Sequence, residues 1–410
     1  MNQGLSRRDL LAAPFGLALA SLARAREGTP RKILLRSSWQ TINIGDIAHT
    51  PGMLALIETH LPDAEVTLWP SSVDNGVQEM LMARFPKLRI IKAEAEKAKA
   101  LEENDVCLHG SGPSIVAFRD LMRWQKTGKP YGIGGVTLTD DQIKNQRDLI
   151  AGAKFLFCRD TDSLRAAEAA KVPCPRMEFG PDATFFLDLK DDAKADAFLR
   201  AHDLEPKRFA CFVPRLRWTP YWEEGRKVSA EERARKEKVN DESREVDAAK
   251  LRAAIVAWVR QTGQKALLCP EMTYQVKLLR PLLFDPLPDD VKPKVVARPG
   301  YWLTDEAAST YARASAVVSC EMHSPIIAIA NHTPAIHLRQ PTDTRKGQMW
   351  RDAGLGDWLF AIDDTTGDQV AAALLKLHAE PDATAAAVEK SRAFLAGRGK
   401  VMMDALAAAR

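Results

Sequence analysis

The chain has 410 residues, with 58 lysines and arginines against 54 aspartates and glutamates, and a formal charge of +4. That balance excludes the strongly basic surface by which proteins hold nucleic acid, and the length exceeds a single comfortable core, so two domains are expected. Its 6 cysteines show no C-x-x-C spacing, and no metal is expected.

Ser6-Arg7-Arg8-Asp9-Leu10-Leu11 opens an apolar run that reaches Leu22 and is followed by Ala23-Arg24-Ala25. Paired arginines, a short apolar stretch and a small-residue cleavage site spell a twin-arginine export signal over residues 1–25. The stretch falls short of the about 20 apolar residues that span a bilayer. The mature chain is therefore expected in the periplasm, beginning near Arg26, with no stable membrane span. Loss of Arg7, Arg8, Arg24 and Asp9 lowers its formal charge to about +2.

From Arg31 short apolar runs alternate with longer amphipathic stretches. Strands are expected at KILLR (32–36), EVTLW (65–69), LRIIK (88–92), DVCLHGSG (105–112), YGIGGVTL (131–138) and AKFLFCRD (153–160). A second series follows, RFACFVPR (208–215), KALLCPE (265–271), KVVARPG (294–300), AVVSCEMHS (316–324), PAIHLRQ (334–340) and LFAIDD (359–364). Strands separated by helices belong to parallel sheets covered on both faces. The expected architecture is two doubly wound, Rossmann-like α/β domains facing each other across a cleft, over 26–200 and 201–400, joined within the charged, Ala-rich stretch 187–208. Ser229–Glu245 has no apolar periodicity and reads as a solvated helix, with a mobile excursion the alternative. Cys107, Cys158, Cys211, Cys269 and Cys320 fall in or beside strand-like runs and read as buried thiols.

In open parallel sheets, ligands bind beyond the carboxyl ends of the strands. After the first strand comes Asn43-Ile-Gly-Asp46, where Gly45 lets backbone approach a ligand and Asn43 and Asp46 can bond N–H groups at a helix start; an ordinary capped turn has the same sequence. His49 follows on that helix. His109-Gly110-Ser111-Gly112 can cradle an anion on backbone N–H groups or form a tight turn. G-x-S-x-G and G-x-G-x-x-G are both absent. Arg159, Arg215, Arg217 and Arg339 stand at strand ends and suit carboxylate, phosphate or sulfate, surface ion pairs being the alternative for some. Trp39, Trp218, Tyr221, Trp222, Tyr301, Trp302 and Trp350 fall in loops or at strand ends, where a broad apolar face with one donor suits sugar rings. His323 follows a strand, beside Glu321 and ahead of an apolar helix, and reads as a cleft residue placed for proton transfer.

These residues resemble the polysaccharide pyruvyl transferases. Asn43-Ile-Gly-Asp46 is similar to that family's N-x-G-D, Arg159-Asp160 with Ser163 to its R-D-x-x-S, and Gly110, Gly112, Pro181-Asp182 and the segment around His323 follow in order. The resemblance implies a GT-B-like architecture and transfer of a pyruvyl ketal from phosphoenolpyruvate, a co-substrate rather than a cofactor, onto a carbohydrate. It also implies a last motif R-x-H whose histidine moves the proton and whose arginine grips the donor. Glu321 occupies that arginine's position here, and a carboxylate opposes a donor bearing a phosphate and a carboxylate. Three functions stay open. The first is a transferase using His323, with Arg215 or Arg217 in place of the missing arginine. The second is an exported glycan-cleaving or glycan-rearranging enzyme using Glu321 and His323, with Asp46 and His49 as further candidates for proton transfer, and the third a non-catalytic glycan-binding protein.

Overall fold

The computed structural model describes residues 30–410, and the export signal expected over 1–25 lies outside them. In the first domain, β1 (Lys32–Ser37), β2 (Glu65–Pro70), β3 (Arg89–Ile90), β4 (Val106–His109), β5 (Tyr131–Val136), β6 (Phe155–Cys158) and β7 (Met177–Phe179) form one sheet in the order β3-β2-β1-β4-β5-β6-β7. In the second, β8 (Phe209–Val213), β9 (Lys265–Leu268), β10 (Val295–Ala297), β11 (Ala316–Ser319), β12 (Ala335–Arg339) and β13 (Leu359–Ala361) run β10-β9-β8-β11-β12-β13. Every pairing is parallel; Leu35, for instance, lies between Leu68 and Leu108. The expected two doubly wound α/β domains are therefore present.

Strands such as β4 and β8 are buried at every position, which is why they read as unbroken apolar runs. The edge strand β7 was not anticipated, because Met-Glu-Phe offers no run and its glutamate bonds Arg176 and Arg398. Both strand orders reverse direction at one point, between β1 and β4 and between β8 and β11. Those are the two places where an open sheet leaves a crevice at its carboxyl edge.

The helices that build the site are α1 (Ile44–His60), α2 (Thr161–Ala169), α3 (Ala230–Thr262), α4 (Thr304–Arg313), α5 (His323–Ala330), α6 (Gly367–Ala379) and α7 (Pro381–Ala408). Ser229–Glu245 is the expected solvated helix: Ser229 caps α3 on the Glu232 N–H, and Arg233–Glu237, Lys236–Glu232 and Lys238–Glu242 pair at i,i+4 along it. Its second half turns Leu251, Ile255 and Trp258 into the core beneath the second sheet, beside α6. The stretch 187–208 carries a helix, Asp192–Ala201, that packs on α4. α7 returns to the first domain, where Met402 lies against Gly134 and Arg398 donates to the Phe179 carbonyl at 2.9 Å.

One apolar cluster runs through both domains, joining Ile33, Met53 and Leu108 of the first to Cys211, Trp302 and Ile326 of the second. All six cysteines are buried and unpaired; for Cys107, Cys158, Cys211, Cys269 and Cys320 their setting in or beside strands implied it, and Cys174 joins them from the loop before β7. Among the described residues no helix is long and apolar enough to cross a membrane.

Candidate active site

Asn43 opens α1 by accepting from the N–H groups of Gly45 at 2.7 Å and Asp46 at 3.3 Å. The turn is also a joint between domains. The Ile44 N–H donates to the Glu271 carbonyl at 3.0 Å, and Asn43 pairs with Met272 as an antiparallel bridge. Gly45 is required by a close approach, but not to a ligand: a Cβ there would fall inside the His323 side chain.

Behind this joint lies a buried polar network of the first domain. His49 Nδ1 is 2.7 Å from Ser111 Oγ and 3.0 Å from Asp182 Oδ1, and Asp182 Oδ2 accepts from Arg159 Nη1 at 2.5 Å. Arg159 Nε donates to Thr137, and the neighbouring Asp160 caps α2 on the Ser163 N–H at 2.7 Å. Burial pushes the Asp182 carboxyl up, yet His49 and Arg159 outweigh it and hold the group well below the usual range.

His109 bonds the Gly110 carbonyl through Nδ1, accepts from the Ala117 N–H through Nε2, and stacks on Trp39 with ring centroids 4.9 Å apart. Burial drives its pKa down to about 3, so it is a neutral structural ring. The expected anion cradle at His109, Gly110 and Ser111 is instead an internal support. Its amides face protein, with Gly110 donating to the Arg36 carbonyl and Gly112 to that of Gly135, and Ser111 Oγ accepts from the Ala183 N–H.

From the second domain, β11 and the turn after it deliver His323 to the start of α5. Its Nδ1 lies 3.5 Å from Glu271 Oε1, its Nε2 lies 3.9 Å from Asp182 Oδ2, and its ring meets that of His49 edge-on at 5.0 Å. Glu271 is anchored by the Ser324 N–H at 2.6 Å and hydroxyl at 2.8 Å, at the positive end of α5. Burial, then the neighbouring His49, lowers the His323 pKa to about 3, and burial raises that of Glu271. His49 Nε2, His323 Nε2 and Glu271 Oε1 are buried without a hydrogen-bond partner in the protein.

Glu321 does not orient His323. Its Oε1 accepts from Gln275 at 2.7 Å and its Oε2 stands 3.3 Å from Arg215 Nε. Arg215 gives its Nη1 hydrogen bond to Asp343 at 2.5 Å, and Lys346 reaches the same carboxylate at 3.0 Å. The two carboxylates consequently diverge. Burial opposes both, but Arg215 and Lys346 keep Asp343 well below the usual range, whereas Glu321, close to Arg215 without a formed hydrogen bond, is pushed up to about 7.

Other sequence-expected residues are placed elsewhere. Trp302 is 2 % exposed in the inter-domain core, with its indole N–H on the Pro270 carbonyl, and Trp350 is fully buried. A loop tryptophan is a core residue when a second domain closes over the loop. Arg159 is 1 % exposed and occupied by Asp182. Arg217 is held by Asp247 and Asp363, and Trp218 lies under Arg235 and Lys236 in a separate groove. Arg339 packs beside Gly347 and bonds the Thr344 carbonyl rather than Glu321. Asp46 accepts from Gln40 and lies 3.9 Å from His49 Nε2. Asp182, named from sequence only within the motif Pro181-Asp182, and Glu271, which ends the strand-like run KALLCPE, carry no assigned role there, yet both are central to the site; each follows a proline just beyond a strand.

His49, Asp182 and His323 present ligand atoms within 4.8 Å of one another, the one group of this kind among the described residues that could hold a metal ion. Arg159 already neutralises Asp182 and Ser111 bonds His49 Nδ1, while the Nε2 atoms of His49 and His323 have no protein partner.

No curated protein matches the chain. Among solved structures it is similar to a putative UDP-N-acetylglucosamine 2-epimerase from Listeria monocytogenes, with a TM-score of 0.60 and 11% identity over 92% of this chain and 96% of that one. It is also similar to S. aureus MnaA in a co-structure with UDP, with a TM-score of 0.58 and 11% identity over 91% and 95%. A third is UDP-GlcNAc 2-epimerase from Neisseria meningitidis bound to UDP-GlcNAc, with a TM-score of 0.57 and 11% identity over 92% and 99%. At such identity the likeness establishes the fold, the paired Rossmann-like domains of the GT-B type. The polysaccharide pyruvyl transferase family model matches residues 43–340, from the capped turn at Asn43 through His323 to the end of β12, and the chain therefore belongs to that family.

Proposed function

We propose that this family member is a transferase acting on a carbohydrate in the cleft, with His323 carrying the proton. The observation behind this reading is the pairing of His323 with Glu271, in which Nδ1 faces the carboxyl group at 3.5 Å and Nε2 has no protein partner. A carboxyl group facing one ring nitrogen orients the imidazole by charge and leaves the other nitrogen to take a hydroxyl proton. Burial keeps the ring neutral near pH 7, a weaker base than a free imidazole but with its Nε2 left unpartnered.

Phosphoenolpyruvate is the co-substrate this reading takes. Ketal formation joins two sugar hydroxyl oxygens to the donor's central carbon and breaks that carbon's bond to the phosphate oxygen. One hydroxyl proton ends on the donor's methylene carbon and the other leaves with phosphate, so a group that accepts and returns a proton suffices. The donor needs a positive field, and Arg215 and Lys346 lie beside Asp343 and Glu321. With Glu321 ionised these charges cancel. With Glu321 protonated, which a pKa of about 7 permits near neutrality, a net positive charge is left for the donor. Glycan cleavage is the second reading, favoured by the same shift: a carboxyl group protonated near neutrality is a general acid, and Asp46 is the candidate base.

Arg7-Arg8 and Ala23-Arg24-Ala25 support placing the mature protein in the periplasm. Changing both arginines of the pair to lysine should retain it in the cytoplasm, and unchanged delivery would remove the premise. The test of function is incubation of the mature protein with phosphoenolpyruvate and glycan panels, followed by mass spectrometry. Gain of a pyruvyl group, lost in His323→Asn, is the expected result; loss of a sugar unit would favour cleavage, and no change in any glycan would overturn both.

A further inference from the structure

Beside the cleft, the segment after β8 and the first turns of α3 enclose a groove of ≈ 330 Å³. Trp218, Tyr221, Trp222, Arg226, Lys227 and Lys236 line it. Its cations are not equivalent. Lys236 is spent on Glu232 at 2.6 Å, the acidic group on the wall. Arg226, Lys227 and Arg235 have no ion-pair partner among the described residues; Arg226 lies 5.7 Å over the Tyr221 ring and Arg235 lies 5.5 Å over that of Trp218. All three are exposed and free to meet a ligand, whereas the cations along the rest of α3 are largely engaged in i,i+3 and i,i+4 pairs.

The groove shares a wall with the cleft. Arg215 lines it and stands 3.3 Å from Glu321, while Tyr221 lines it and lies near Gln40, which donates to Asp46. A chain lying along the groove would therefore present its next unit to His323. Aromatic faces suit the C–H faces of sugar rings, and the cations call for negative charge along the same ligand. A phosphate backbone would need a longer basic track than this short one, on a chain whose overall charge is close to balanced.

We propose that the groove between Trp218 and Lys227 is an acceptor subsite for an acidic polysaccharide, one that carries carboxylate or sulfate groups along its length. The assignment rests on the reading of the cleft as a carbohydrate site, and the experiment separates the two. Titration calorimetry on the mature chain compares an oligogalacturonate, a sulfated oligosaccharide, a neutral malto-oligosaccharide and a single-stranded oligonucleotide of similar length. The acidic sugars should bind about 10-fold or more tightly than the neutral one, with affinity that falls as salt rises. The exposed pair change Arg226→Glu with Lys227→Glu should abolish that preference, and Trp218→Ala should weaken all the sugars together. His323→Asn should leave oligosaccharide binding intact. Equal binding of the neutral oligomer, tighter binding of the oligonucleotide, or no effect of the charge reversal would overturn the subsite. Acidic preference without turnover of any glycan would uphold the subsite and count against the catalytic reading alone.

Discussion

Arg159 and Asp182 form a buried ion pair whose side chains are 1% and 0% exposed, so removing the arginine alone should be expensive. In Arg159→Met, Asp182 keeps His49 and the Thr184 N–H but loses its guanidinium. Breaking one side of a buried pair costs about 3–5 kcal/mol. For a domain of this size that corresponds to a fall in Tm of about 6–20 °C. Because the folded pKa of Asp182 lies below its value of 3.8 in the unfolded chain, the pair's contribution is full above about 4 and is lost as pH falls further. The difference between wild type and variant should therefore be largest near neutrality and narrow in acid. Arg159→Met with Asp182→Asn removes both charges and should recover much of the loss. Thermal melts of the three proteins at several pH values test this. A drop of under about 2 °C in Arg159→Met, or a double variant no better than the single one, would refute the reasoning.

Glu271→Gln should lower kcat on the productive glycan by about 10²-fold with little change in KM, because the amide fits the Ser324 contacts but no longer orients His323 by charge; steady-state kinetics with an unchanged kcat would assign the orientation of His323 elsewhere. Glu321 carries its proton up to about pH 7, so wild-type affinity for phosphoenolpyruvate should rise as pH falls through that value, and Glu321→Gln should bind tightly at pH 6 and 8 alike. The folded carboxyl also outlasts the unfolded one at 4.5, so stability should decline between about 4.5 and 7 as pH rises and the glutamine variant should lack that slope; calorimetry showing no pH dependence of binding would remove the role given to residue 321. Gly45→Ala should cost about 1–3 kcal/mol and displace His323, lowering both Tm and turnover; a variant with wild-type values would mean that α1 and α5 slide apart freely.

The strands were readable because parallel sheets bury both faces and write continuous apolar runs, and the strand-end rule then led to Asn43, Arg215, Glu321 and His323. What local spacing does not encode is who faces whom. His49 meets Asp182, and Asn43 meets Met272, across more than a hundred residues of chain. Glu321 and His323, two apart in sequence, looked like a pair, yet the turn from β11 into α5 sends one to Gln275 and Arg215 and the other to Glu271. Trp302 looked available because it stands in a loop, and only the second domain's closure makes it core. A buried arginine such as Arg159 is likewise indistinguishable by residue type from one that grips a ligand.

The return of α7 sets the order of synthesis against the order of completion. β1 is among the first segments to leave the ribosome, yet its neighbours include the last 28-residue helix: Arg31 Nη1 bonds the Leu406 carbonyl at 2.7 Å, and Leu395 and Met402 fill the core under the first sheet. Domains that are contiguous in sequence can fold one after another as they emerge. Here the first must wait with an uncovered apolar face until α7 has emerged. An expressed fragment that stops at residue 200 would lack its own floor, and a nascent chain stalled after the second sheet should still be a client for chaperones.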